Sequence, residues 1–160
     1  MGDTHDNLSM IDKAIERLNR EKVELVLHTG DYVSGFVIPR FKALNAKLIG
    51  VFGNNDGDRE RLRSKFGENP NLEIRGSFGE VVAGGVRIAL LHGIDNVLLN
   101  ALIEGGCFGI MVYGHTHMVE VRKEGRTLVV NPGEVCGYVH GKTTVAVLDT
   151  ARSEARIVEL

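Results

Sequence analysis

The chain reads as an α/β domain in which two mixed β-sheets are sandwiched between helices, and three observations predict it. Short β-rich runs alternate with helix-periodic segments at the start. Hairpins joined at glycine turns dominate the rest. Polar clusters follow directly on the predicted strands, where buried strands of an α/β sheet end.

Leu8, Ile11, Ile15 and Leu18 recur at helical spacing behind two possible caps, Asp6 and Asn7. Glu24 to His28 is a short apolar strand that stops at Thr29-Gly30-Asp31. Pro39 suits the first turn of a second helix running through Leu44. Lys47 to Phe52 reads as the next strand, and Asp58 caps a third helix through about Phe66. Strands follow at Leu72 to Arg75, Gly79 to Ala83 and Val86 to Leu91, the last two joined at Gly84-Gly85. A helix from Asn96 to about Glu104 ends at Gly105-Gly106, and Phe108 to Tyr113 is another buried strand. Val119 to Lys123 and Arg126 to Val130 flank Glu124-Gly125, and Thr143 to Asp149 with Ala155 to Glu159 form the last hairpin. With no internal repeat and no linker, residues 1–160 read as one domain.

Composition limits the function classes. With 160 residues, 43% of them hydrophobic and 25% charged, the chain can bury a core without disulfides. A net charge of -2 without single-sign runs gives no bulk attraction to nucleic acid or an anionic membrane. The apolar runs are too short to span a bilayer. Cys107 and Cys136 lack CxxC spacing, and no secretory leader pattern is present, which points to a reducing cytoplasm. Both are expected to be small core or near-surface residues.

Five clusters carry the chemistry: Asp3-Thr4-His5, Gly30-Asp31, Gly53-Asn54-Asn55-Asp56, His92-Gly93 and Gly114-His115-Thr116-His117. Singly, each has an ordinary explanation as a turn, a cap or a strand end. Jointly they converge, because loops at the carboxyl ends of strands open on one crevice. Four of the six histidines lie in them. Two histidines flanking one residue on an extended segment point to opposite sides, which suits two neighbouring ions better than one. Asp31 has two oxygens and can serve one ion with each. Asp, Asn and His without thiolate suit Mn, Fe, Ni or Zn in a catalytic site.

In this order, D-x-H, G-D, G-N-x-D, H and G-H-x-H resemble the signature of the calcineurin-like metallophosphoesterases, over nearly the whole chain. The short length, the G-N-x-D-G loop and Asn131-Pro132-Gly133 are most similar to the small YfcE-type phosphodiesterases of bacteria and archaea. The same fold serves as the retromer scaffold subunit of eukaryotes. The resemblance implies a four-layer αββα sandwich and two divalent metal ions, with Mn or Ni favoured over Fe or Zn. Asp3, His5, Asp31 and His117 would hold one ion, and Asn54, His92 and His115 would complete the second, with Asp31 shared. It implies hydrolysis of a small phosphodiester or cyclic nucleotide through a metal-bridged hydroxide, with Asn54, Asn55 and Asp56 in the catalytic loop. The alternatives within the fold are a non-catalytic metal-binding scaffold, a phosphomonoesterase, or a nuclease confined by the near-neutral charge to short oligonucleotides. A homo-oligomer is compatible with these residues.

Several positions depart from the family pattern. Asn55 stands where many relatives have His; it has no titratable proton near pH 7, which favours diesters with acidic leaving groups. Asp56 is then expected mainly to orient ligands. Glu134 replaces a frequent Ser and is read as a solvated loop charge, with a substrate-selecting carboxylate as the alternative. His28 is read as a satisfied core histidine, with a loop-orienting role as the alternative. His140 is read as a solvated loop residue, with a role at the substrate as the alternative. Thr4 is read as a spacer. Relatives carry a hydrophobic strand before D-x-H that these residues lack. Either the sequence starts downstream of the natural start, or Met1-Gly2 is what remains of that strand. The Asp3-His5 site is therefore expected to be the looser of the two.

Overall fold

The computed structural model describes residues 1–160. Helix α1 (Leu8–Arg20) starts where the Asn7 side chain accepts from the Met10 N–H, and it buries Ile11, Ala14, Ile15 and Leu18. Strand β1 (Leu25–His28) follows. The second helix has Pro39 in its first turn, as expected, but ends sooner than Leu44. A 3-10 turn (Gly35–Val37), capped by Ser34, runs into α2 (Ile38–Phe41). Asn19 stops it: its amide donates to Ala43 C=O at 2.9 Å and its oxygen accepts from Asn45 N–H at 2.9 Å, capturing the chain into a turn. Strand β2 (Lys47–Gly50), helix α3 (Arg59–Gly67) and strand β3 (Leu72–Ile74) come next, with Asp58 capping α3 as expected. Then come β4 (Phe78–Ala83), β5 (Val86–Leu91), α4 (Asn96–Glu104), β6 (Ile110–Val112), β7 (Val119–Glu124), β8 (Thr127–Pro132), β9 (Thr144–Asp149) and β10 (Glu154–Glu159).

Strands β1, β2 and β3 pair in parallel, β9 and β10 form an antiparallel pair, and a mixed sheet runs β4-β5-β6-β8-β7. Alternation of side chains assigns these to layers. Val26 and Leu48 face one core with α1, α2 and α3, and Val145 of β9 faces the same core. Leu27, Ile49 and, at its margin, Ala146 face a second core shared with Ile88, Leu90, Ile110 and Val130 of the five-stranded sheet. Ala89, Leu91, Met111 and Val129 on the far side of that sheet pack on Leu99 and Ile103 of α4. The order is therefore helix, sheet, sheet, helix, matching the predicted αββα sandwich. The first sheet layer is divided: β1-β2-β3 and the β9-β10 hairpin border a groove of about 630 Å³ lined by Met1, Leu25, Leu27, Ala146 and Leu148 among others.

Residues 1–3 close one end of that gap. Thr29 N–H donates to Met1 C=O, and Asp3 N–H donates to Gly30 C=O; on the other side Val135 and Cys136 N–H donate to Gly2 and Asp3 C=O, all at 3.0 to 3.1 Å. Asp3 is thus held from both sides, which removes the premise that its site is the looser. Parallel pairing of β1 with β2, and of β6 with both β5 and β8, brings the loops after β1, β2, β5, β6 and β8 to one edge of the sandwich. No helix is long and apolar enough to cross a membrane.

Candidate metal centre

All five clusters meet at this edge. One ligand atom from each of Asp3, His5, Asp31 and His117 lies within 4.8 Å of the others. His5 Nε2 is 3.4 Å from Asp31 Oδ2, and His117 Nε2 is 3.5 Å from Asp3 Oδ1. Beside them, His92 Nε2 lies 3.3 Å from Asp31 Oδ2 and 2.9 Å from Asn54 Oδ1. The His115 ring meets His92 edge-on at 5.1 Å, while the His117 ring sits 5.1 Å from His5. The two histidines of Gly-His-x-His thus divide between two neighbouring sets, as their spacing predicts, although they lie on a loop and not on a strand.

Backbone geometry shows how strongly this arrangement is imposed. Asp3, His5, Asp31, His115 and His117 all have positive φ, between 41° and 68°. The left-handed region is unfavourable for residues with a Cβ by about 1 kcal/mol or more each, so the surrounding fold must over-determine it. Two glycines make room. A Cβ on Gly53 would lie 2.1 Å from Asp31 Oδ1, and one on Gly114 would lie 2.7 Å from Asp3 Oδ2.

The donors fit a cation. Asp3 Oδ1 and His5 Nε2 are buried and have no hydrogen-bond partner, which is costly unless another positive group faces them. His92 Nδ1 lies 2.9 Å from Thr29 C=O, which can only accept, so the ring donates there. In the neutral ring, Nε2 then turns a lone pair toward two acceptor oxygens. Separations of 3.3 to 3.5 Å between ligand atoms match the edge of a tetrahedron around an ion with bonds of about 2.1 Å, roughly 3.4 Å.

Charge follows the same geometry. Burial pushes the Asp3 carboxyl up to about 6 against the pull of His92 and His117. Burial would also raise Asp31, but hydrogen bonds from His92 and Asn55 hold it well below the usual carboxylate range. Burial opposes charge on His92, and the Asp31 carboxylate overcomes it, so its imidazole is held above the ordinary value. His5 and His115 are lowered, chiefly by burial. Cys136 lies near His5 and His117, but burial and the neighbouring Glu134 push its thiol up to about 12, leaving a donor set of nitrogen and oxygen.

Several sequence-based roles change. Both Asp31 oxygens were available for bridging, yet Oδ1 accepts the Asn55 backbone N–H at 2.8 Å, so Oδ2 alone faces both His5 and His92. Asn55 Nδ2 donates to that same Oδ2 at 2.8 Å. Asp56 fits the orienting role expected of it: it is buried, and it accepts from Asp31, Val33 and Gly53 N–H at 3.1, 2.8 and 2.7 Å. It fastens the Asp31 loop to the Asn54 loop. Glu134 is neither solvated nor open to substrate but fully buried against His117. Thr4 is more than a spacer, because its hydroxyl donates to Asp31 C=O at 3.2 Å. His28 is a core residue stacked on Tyr32 that also accepts from Gly30 N–H at 3.1 Å, joining both readings. His140 is exposed and borders a 470 Å³ pocket with His117, Met118 and Lys142. The contribution of Thr29, made through a carbonyl, carries no residue-type signal that sequence could have offered.

Comparison with known proteins agrees with this geometry. The calcineurin-like phosphoesterase superfamily domain model matches residues 1–153. Phosphodiesterase MJ0936 of Methanocaldococcus jannaschii is 41% identical over 160 residues, which is all of this chain and 96% of the relative. A solved structure of an archaeal phosphodiesterase shares 41% identity and a TM-score of 0.95, covering 100% of this chain and 97% of that one. The fold is also that of YfcE, a phosphoesterase from E. coli, with 20% identity, a TM-score of 0.69 and coverage of 98% and 95%. Members of the superfamily use divalent metals, which the donor set here is built to hold. By the family model and by its full-length similarity to an archaeal relative, this chain belongs to the calcineurin-like phosphoesterase superfamily.

Proposed function

We propose that residues 1–160 act as one metallophosphoesterase domain, a phosphodiesterase dependent on two divalent ions. The carrying observation is the position of Asp31, whose Oδ2 faces His5 on one side and His92 on the other. Asp3, His5, Asp31 and His117 would hold one ion; Asp31, Asn54, His92 and His115 would hold the other. Imidazoles, carboxylates and an amide with no thiolate suit Mn, Fe, Ni or Zn, and the family resemblance favours Mn or Ni among them. When bound, such ions supply Lewis-acid stabilisation of phosphoryl oxygens and lower the pKa of water toward neutrality.

The chain's own residues set the rest. Asn54 is exposed, so the second set opens to solvent and to substrate. Asn55 can donate a hydrogen bond beside the reacting oxygens but holds no proton to give. Leaving groups must therefore depart as anions, which selects small diesters with acidic alcohols or cyclic nucleotides over monoesters. Convergence of the candidate ligand loops at one edge supports an enzyme over a scaffold, and a net charge of -2 limits nuclease action to short oligonucleotides. Unpaired Cys107 and Cys136 support a reducing, cytoplasmic setting.

The test is hydrolysis of bis(p-nitrophenyl) phosphate and p-nitrophenyl phosphate by the full chain with added Mn²⁺ or Ni²⁺. Metal-dependent turnover, abolished by chelator and faster on the diester, is expected. Turnover indifferent to chelator, or a preference for the monoester, contradicts the proposal.

A further inference from the structure

Glu134 is a buried carboxylate with every oxygen engaged. Its Oε1 accepts from Val139 and His140 N–H at 3.1 and 2.6 Å. Its Oε2 accepts from Val139 N–H and the Cys136 thiol at 3.1 Å each, and from His117 Nδ1 at 2.7 Å. An ionised carboxylate can only accept, so His117 carries a proton on Nδ1 and, in the neutral ring, turns the Nε2 lone pair toward Asp3. The other donors come from residues 136 to 140, the loop whose end borders the pocket beside His117.

We infer that Glu134 is a positioning residue, fixing the tautomer and rotation of His117 and tying this ligand to the 136–140 loop. The inference rests on the proposed role of His117 as a metal ligand. A carboxylate behind a ligating histidine fixes its tautomer and makes the opposite nitrogen more basic, and losing it lowers metal affinity about 10- to 100-fold. Burial of the whole Glu134 side chain would be unfavourable without such partners. A serine at this place would be too short to span to His117 while accepting from the loop.

Glu134→Gln isolates the effect. Its amide oxygen can still accept from Val139 and His140 N–H, while its NH₂ faces Nδ1 and demands a lone pair there. The His117 proton must then move to Nε2, the nitrogen aimed at Asp3.

The experiment is long-range ¹H–¹⁵N correlation on the metal-free full chain, with His117→Ala assigning the signals, and Co²⁺ calorimetry of all three proteins. Wild type is expected to show the Nδ1–H form of His117 and the Gln variant the Nε2–H form. One of two Co²⁺ ions should bind about 10- to 100-fold more weakly to the Gln variant. An Nε2–H form in wild type overturns the inference without any variant, which keeps it testable even if Glu134→Gln fails to fold. Unchanged Co²⁺ affinity in Glu134→Gln, with weakening in His117→Ala, overturns the role of Glu134 alone. Unchanged affinity in both variants overturns the metal assignment and this inference with it.

Discussion

Asn55 donates twice to Asp31, its backbone N–H to Oδ1 and its side-chain amide to Oδ2, each at 2.8 Å. Two donors from one residue fix the plane of the carboxylate and leave Oδ2 facing both His5 and His92. On the proposed role of the Asn54–Asp56 loop, the same amide stands where a titratable proton would help a poor leaving group. Asn55→His supplies a titratable proton at that place. A general acid contributes about 10²- to 10⁴-fold when well positioned, so at least a tenfold gain on phenyl relative to p-nitrophenyl esters is expected. The check is the ratio of kcat/KM values for leaving groups of differing acidity, which should flatten in the variant.

Asp56 fastens two loops through three backbone N–H groups, one of them that of Asp31, and is itself a member of neither candidate ion set. Asp56→Ala leaves these donors without a partner, and unsatisfied buried donors cost about 1 to 3 kcal/mol each. Solvent reaching the cavity offsets part of this, so a loss of roughly 3 kcal/mol in urea unfolding of the metal-free chain is expected. Activity should fall with it, because Asp31 and Asn54 lose their common anchor. Asp56→Asn, which keeps one accepting oxygen, should fall between the two.

His92 makes the centre pH-dependent in two opposed ways. Burial acts against its charge and the Asp31 carboxylate more than compensates, so its pKa lies above the ordinary 6.5. A raised folded-state pKa contributes stability that is complete below 6.5 and is lost as pH rises through the folded value. Metal binding needs the neutral ring, so affinity rises over that same range. Relative to His92→Asn, the chelated wild-type chain should therefore lose thermal stability from about pH 6 toward 8, since His5 and His115, whose lowered values act in the opposite sense, are common to both proteins. Over the same range wild-type Mn²⁺ affinity should climb more steeply than that of the variant, with about one additional proton released on loading.

Much of this candidate centre is legible in the sequence because its candidate ligands are side chains grouped at strand ends, where topology forces convergence. Gly-His-x-His carried the division between two sets, and helix caps at Asn7 and Asp58 were readable from local chemistry. Glu134 was misread because residue type alone says nothing about burial: a loop carboxylate looks solvated until the chain folds His117 and three other donors around it. The early end of α2 depends on Asn19, a residue 24 positions away from Ala43. The looseness expected near Asp3 presumed support from one strand, whereas residues 135 and 136 supply a second side.

On the proposed function Asp31 joins two metal sites, and counting ions tests this most directly. Elemental analysis of the Mn²⁺-loaded, desalted full chain is predicted to give two ions per wild-type chain and at most one in Asp31→Ala, with bis(p-nitrophenyl) phosphate turnover lost in the variant. Two ions retained in Asp31→Ala, or no more than one in fully loaded wild type, would contradict it.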